Sequence, residues 1–474
     1  MEDNFDSYND DADYAASINR FEQMLNENHH YFFDVEEFED LISYYMEMNE
    51  NEKAKKAIDI SLEQHPSSSS LKIKYAEYLA SIHKPNKALE ILNAIEILEP
   101  FNPENQIIKG SIYSQIRQHN KAIDAYNKAL KLTSDKADQI SIKMQIAFEY
   151  ENLLQLDKAI AIFKEVLKEN PANETVLYDI TFCYNMNDRT ESCIEFLTTF
   201  LDDNPYSYVG WYNLGICYHS AELYEKAIDA QDYVIAIKED FISAYLNKAD
   251  ALSSLERYDK AITTYKETFA FEEPNADILY FIGECYENNL QYDEAIEYFK
   301  KATQLDAMHS DAWAGMAYVF NEQGKTDSAI FFIQKAIEIE PEHPDFLLIY
   351  ADILKDIEAY EEAIELYQKI IKIDPNNNTS WVDLADAYYE IGQVDEALET
   401  IIKGIDTHPD SGLIRTRLVA FYLETDNLTE ATKQLIVLLN MDKKLVTALI
   451  AFYPAVLDYP SLLEIIENYN DNEF

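Results

Sequence analysis

One column of small residues constrains this chain more than any other feature. It runs Ala54, Ala88, Ala122, Ala159, Cys193, Ala227, Ala261, Ala295, Ala329, Ala363, Ala397 and Ala431, 34 residues apart at every step except Ala122 to Ala159, which is 37. A fixed period of this length is the mark of a solenoid, in which one supersecondary unit is stacked many times and each unit buries its apolar face on its neighbours.

Each unit is counted from sixteen residues before its small residue, so that the first starts at Phe38. Seven positions after each start comes an aromatic residue or Leu: Tyr45, Leu79, Tyr113, Tyr150, Tyr184, Tyr218, Leu252, Tyr286, Phe320, Leu354, Tyr388 and Tyr422. Positions 0, +3, +4 and +7 form one apolar stripe of an α-helix, as in Trp211, Leu214, Gly215 and Tyr218. A second stripe at +16, +20 and +23, as in Ala295, Phe299 and Ala302, predicts a second helix, and the small residue at +16 lets the two approach closely. Seven units stop at +28 with Pro, from Pro66 to Pro409.

These residues resemble the tetratricopeptide repeat, whose pattern is Trp-x2-Leu-Gly-x2-Tyr, then Ala-x3-Phe, then Pro. Trp211 to Ala227, Leu279 to Ala302 and Trp313 to Pro341 carry the likeness, which covers about 410 of the 474 residues. Departures are local: Cys193 stands for Ala, Gln231 for the aromatic at +20, and Glu239, Glu273, Ala307 and Lys443 for Pro. The resemblance implies an all-α fold, a right-handed α-solenoid of about twelve helix-turn-helix repeats. It also implies that partners, not chemistry, are the business of the chain. The expected organisation is an acidic tail and capping helix over 1–34, a single array of twelve repeats over 35–445, and a capping half-repeat with an acidic tail over 446–474. Ile18, Phe21, Met24 and Leu25 form the first cap, and Pro454 and Pro460 interrupt the last. Three extra residues around Ala137 to Gln139 lengthen a turn or a helix end.

Searching for chemistry yields nothing above the repeat. His29 and His30 are the one adjacent His pair, no two His stand at helical spacing, and His65, His343 and His408 precede Pro in turns. No metal-ligand spacing, phosphate loop or nucleophile motif is present, so neither enzyme activity nor a metal or other cofactor is expected. Cys183, Cys217 and Cys285 share slot +6, about 10 Å apart on successive helices and beyond disulfide reach; Cys183 and Cys193 lie in one unit and are the pair with a chance of meeting. Free thiols, and a first segment, Met1 to Asp13, that is acidic and without an apolar run, point to the cytoplasm.

Charge bounds the partners. With 88 acidic and 38 basic residues the net is −50, which disfavours nucleic acid and anionic membrane surfaces. In tetratricopeptide arrays the first helix of each unit lines a concave groove, at slots −2, +1, +2, +5, +8 and +9. In the five units starting at Tyr245, Leu279, Trp313, Leu347 and Trp381, 12 of these 30 slots are acidic, against 88 of 474 residues in the whole chain. They include Asp250, Glu284, Glu287, Asp352, Asp383 and Asp386, beside the aromatic residues Tyr280, Phe281 and Tyr318, with Lys355 the one basic residue. Asp277, Asp311 and Asp345 at slot −2 double as N-terminal caps or dipole partners. The three preceding units offer an apolar set, Phe148, Tyr178, Phe182, Met186 and Tyr212, with Glu151 and Asp179 the charged exceptions. Asn213 and Asn247, at successive +2 slots, are placed to hold a peptide backbone.

The carboxylate clamp that some arrays use for acidic C-termini needs Lys at +1 and Asn at +5, and no unit has either. The reading is a non-enzymatic scaffold that holds an extended or helical protein segment, basic and apolar in character. The alternatives are a structural subunit of a larger assembly and an accessory that holds a substrate for an enzyme.

Overall fold

The computed structural model describes residues 16–26, 31–171, 173–442 and 444–471. Met1 to Asp13, His29, His30, Lys443 and residues 472–474 lie outside them. Among the described residues there is no β-strand, and twelve helix pairs follow one another from Val35–Glu47 with Asn51–Gln64 to Gly412–Glu424 with Leu428–Met441. They fall into two compact units, Met1–Phe241 and Ile242–Phe474, each holding six pairs.

The column that defines the period is the contact within each pair. All twelve residues at +16 are fully buried or within 1% of it, and the large residues at +20 pack beside them. Opposite, slot +4 is small where +20 is large: a Cβ added to Gly283 would stand 2.7 Å from the ring of Phe299, and one added to Gly110 2.5 Å from that of Tyr126. Size complementarity, not mere hydrophobicity, sets the helix approach. Where a unit starts with Trp, its indole N–H donates to the carbonyl at the preceding +28 position: Trp211 to Pro205 at 2.9 Å, Trp313 to Ala307 at 3.0 Å and Trp381 to Pro375 at 3.1 Å.

The turn inside each pair repeats twelve times in one geometry. Slot +11 has positive φ in every unit, at ten non-glycine residues such as Leu154, Glu222 and Leu290 and at Gly324 and Gly392. The next N–H then reaches back to the carbonyl of the +7 residue, as in Glu50 to Tyr45 and Gln291 to Tyr286, both 2.8 Å, closing the first helix. Most first helices begin with a side-chain cap at slot −4, for example Ser68, Ser207, Asn275, His309, Asn377 and Ser411. Asp277, Asp311 and Asp345 are thus not caps; they lie in the first helical turn, where a carboxylate suits the dipole. The three-residue insertion extends a helix start, since Lys136–Asn152 has 17 residues where its counterparts have mostly 13, and Asp135 caps it.

In the first unit a helix over residues 16–26 covers the open end, with Phe21 fully buried against Phe33 and Tyr45. In the second, Lys444–Phe452, a short 3-10 turn at Pro454–Asp458 and Pro460–Asp471 close the other end. The thiols pair differently from the expected way. Cys193 meets Cys217, Sγ to Sγ 3.1 Å, because the second helix of one pair packs on the first helix of the next; all four cysteines are free and buried.

Candidate functional site

In the first unit the helices Lys136–Asn152, Thr175–Asn185 and Tyr208–Ser220 carry the predicted apolar set. Tyr178 is 38% exposed, Phe182 50% and Met186 54%, values that leave large apolar surface in water. Tyr178 and Tyr212 meet edge to face at 6.1 Å, and Tyr212 leans on Phe241 at 5.1 Å. Phe148 is half-buried with its ring against the core residue Phe163 at 5.7 Å. Burial raises the carboxyls of Glu151 and Asp179, and Asp179 raises Glu151 further. Asn213 does not belong to this surface: it is buried, and its side-chain amide turns back to donate to the Val209 carbonyl at 2.9 Å, one turn earlier.

In the second unit the acidic slots divide into two kinds. Toward the last repeats the chain supplies its own cations. Arg417 donates to both oxygens of Asp386, Nε to Oδ1 and Nη2 to Oδ2 both at 2.9 Å, while its guanidinium lies 3.7 Å over the ring of Phe452. Lys355 sits between Asp352 at 3.1 Å and Asp383 at 3.3 Å. Burial still holds Asp383 and Asp386 above the usual carboxylate range, against the pull of these cations. Asp352, Asp383 and Asp386 are therefore largely spent on the fold.

The other kind lies on the helices Ala276–Asn288, Ser310–Glu322 and Pro344–Asp356. Here a recess of about 300 Å³ opens between Tyr280, Glu284, Glu287, Asp311, Tyr318 and Phe346. Among the described residues no Lys or Arg pairs with Glu284, Glu287 or Asp311; the Tyr280 hydroxyl reaches Glu284 at 3.4 Å. Burial pushes Glu287 up to about 8, helped by Glu284 and Glu322, and burial also raises Glu284, with Asp250 and Asp311 adding to it. Tyr318 is 42% exposed at the rim. Phe281 instead stacks on Tyr265 at 5.9 Å, where the second helix of one pair meets the first helix of the next. Asn247 is half-buried and Asp250 exposed on Ile242–Ser254. Sequence reasoning missed two wall residues, His343 and Phe346, whose rings stack at 4.1 Å, because they occupy slots −4 and −1 outside the assumed groove frame.

The described residues hold no group of three or more His, Cys, Asp or Glu placed to bind a metal ion, and no helix among them is long and apolar enough to cross a membrane. Paired helices in repeating register and a face of uncovered aromatic and acidic side chains define a helical-repeat protein of the interaction type. Tetratricopeptide-repeat family models match residues 104–136 and 140–173, 246–307, and 289–353 and 357–411. The chain is a tetratricopeptide-repeat protein, and repeats of this family are typically protein-interaction modules.

Comparison with curated proteins finds no match. Among solved structures the chain is similar to yeast Tom70, at 16% identity over 91% of this chain and 98% of that one, TM-score 0.46. It is also similar to the Cut9–Hcn1 hetero-tetramer of the APC/C, at 12% identity over 97% and 94%, TM-score 0.39. A third is YrrB, described as a tetratricopeptide-repeat protein with an unusual peptide-binding site, at 20% identity over 39% and 95%, TM-score 0.31. The family assignment rests on the repeat models and the helix pairs.

Proposed function

We propose that the chain is a non-enzymatic cytoplasmic adaptor whose first-helix faces hold an extended or helical segment of another protein, a segment with both apolar and basic residues. One observation carries the reading. Tyr178, Phe182 and Met186 stand uncovered on the same first-helix face as carboxylates that burial has raised and that no Lys or Arg among the described residues pairs with, Glu151 and Asp179 in the first unit, and the Glu284 and Glu287 pair repeats the combination in the second. Uncovered aromatics supply retention and unpaired carboxylates supply steering and selection. Neither nucleic acid nor an anionic membrane fits such a surface. On this reading the array is bounded as 1–34, 35–445 and 446–474, cap, repeats and cap.

Phage-displayed random twelve-residue peptides selected on the full chain, followed by stopped-flow binding of the selected peptide, test the proposal. Selected sequences are expected to combine aromatic or aliphatic residues with Lys or Arg. The triple change Tyr178→Ala, Phe182→Ala and Tyr212→Ala should speed dissociation, by about 1 kcal/mol or more per anchor. Peptides that ignore this triple change and also ignore Glu284→Gln and Glu287→Gln defeat the reading. A structural-subunit role would then take its place, favoured by the exposed Ile97, Leu98 and Phe101 at the end of a second helix, away from the groove slots.

A further inference from the structure

The interrupted pattern of in-chain cations points to the ligand of the recess around Glu287. At the last repeats, Asp386 stands at slot +5 of its unit and receives Arg417 from slot +2 of the next, with Phe452 beneath the guanidinium. Three units earlier the same relation joins Glu284 at +5 to slot +2 of the following unit, which is Gly315. Where the chain elsewhere places an arginine, it here has a glycine that lines the recess and brings no cation, the space at its Cα being filled by the Phe299 ring. Tyr280, Tyr318 and Phe346 line the recess as Phe452 lines the site of Arg417.

We propose that this recess takes an arginine side chain of the partner segment, with the guanidinium between Glu284 and Glu287 and its plane against the tyrosine rings; this rests on the reading that the first-helix face takes a protein segment. Arginine suits the walls better than lysine because a planar fork satisfies two carboxylates and stacks on aromatic faces at once. The charged and titratable groups around Glu287 are Tyr280 and Glu284 on its own helix, Asp311, Tyr318 and Glu322 on the next, and Asp345 with His343 at the start of the third. All but the imidazole and the two phenols are carboxyls. With Glu287 raised to about 8 in the free protein, arrival of a cation favours its ionised form, so binding releases protons near neutral pH and strengthens as pH rises through about 8.

Isothermal titration of the full chain at pH 7.5 and low ionic strength with N-acetyl-arginine methylamide, and with the citrulline and lysine counterparts, tests this. The arginine compound is expected to bind at least tenfold more tightly than neutral citrulline and more tightly than lysine. Its heat should depend on the ionisation enthalpy of the buffer, which measures the released protons. The pair Glu284→Gln and Glu287→Gln should weaken it at least tenfold and abolish the proton release, with the fold checked by circular dichroism, whereas Asp352→Asn should change it less than twofold. Equal binding of arginine and citrulline, or undiminished binding by the double variant, overturns the proposal, and lysine binding as tightly as arginine overturns the guanidinium assignment. Selected peptides that bind through Tyr178 and Phe182 yet ignore the recess would sink this inference alone. Loss of all peptide binding while the arginine compound still binds would sink the adaptor reading and leave the recess standing.

Discussion

The recess around Glu287 and the cluster around Asp386 use similar residues on successive first helices and end in opposite states. At Asp386 and Asp383 burial is answered from within, by Arg417 and Lys355. At Glu284 and Glu287 no Lys or Arg among the described residues answers it, and Glu287 is pushed up to about 8. Acidic residues counted along a repeat slot therefore say little until the slot that faces them is known. What separates a structural carboxylate from one free to take a ligand is a single residue one repeat later, Arg417 in one case and Gly315 in the other.

The largest effect is expected where that answer is removed. Arg417→Ala leaves Asp386 half-buried and unpaired and strips the cover from Phe452, so the second unit should lose roughly 2–3 kcal/mol, less than for a fully buried pair because both partners keep some solvent. Adding Asp386→Asn should restore part of the loss in urea melts. A variant as stable as the parent would mean that the two regions do not differ in the way described.

Packing beneath the recess offers the next test. A Cβ on Gly315 would stand 2.7 Å from the Phe299 ring, which is fully buried. Gly315→Ala should destabilise by roughly 1–3 kcal/mol, and Ala295→Leu, on the helix that carries Phe299, by a similar amount. An unchanged midpoint on thermal melting would show the small-residue column to be spacing without contact.

How far the sequence could be read divides along similar lines. The +16 column and the +20 residues were legible because each depends on contacts within one repeat, and the period multiplies the signal by twelve. Cap positions were misplaced by two residues, since Asp277 and Asp311 suit a first turn as well as a cap. The +11 turn was hidden because only Gly324 and Gly392 announce it, and ten other side chains accept the same backbone. Slot number alone places Asp352, Asp383 and Asp386 in the groove. Their cations come from Lys355 and Arg417, and the relation of +5 to the next +2 appears only when the helices are seen side by side. Asn213 shared a slot with groove residues but turned back to its own helix at Val209.

Ionisation distinguishes the two regions directly. A carboxyl raised in the fold adds stability that is complete below its ordinary value of 4.5 and is lost as pH climbs through about 8. Glu287→Gln removes that loss, so at pH 8.5 it should stabilise the second unit by roughly 1–2 kcal/mol after allowance for solvent, and at pH 4 by almost nothing. Asp352→Asn, made beside Lys355, should show no such gain at pH 8.5. Melts at the two pH values decide it, and a gain that is equal at both would place the benefit in packing and not in charge.

The smallest effect concerns what the two regions share. Leu290 ends the helix that carries Glu284 and Glu287 at φ 58°, and Gly392 ends the helix that carries Asp383 and Asp386 at φ 76°. Leu290 is also 72% exposed, so its side chain contributes little packing to set against the strained backbone. Relief of that conformation is worth roughly 1–2 kcal/mol, and the added freedom of glycine in the unfolded chain returns about 0.5–1 of it. Leu290→Gly should therefore raise stability by about 0.5–1 kcal/mol, and Gly392→Leu should lower it by a similar amount, both read from urea midpoints at constant slope. Opposite and matching shifts would show that one backbone turn serves both regions and that their difference lies wholly in side-chain charge. If Leu290→Gly is instead destabilising, the turn below the recess has a geometry of its own, and the comparison with the Asp386 cluster would have to include the backbone.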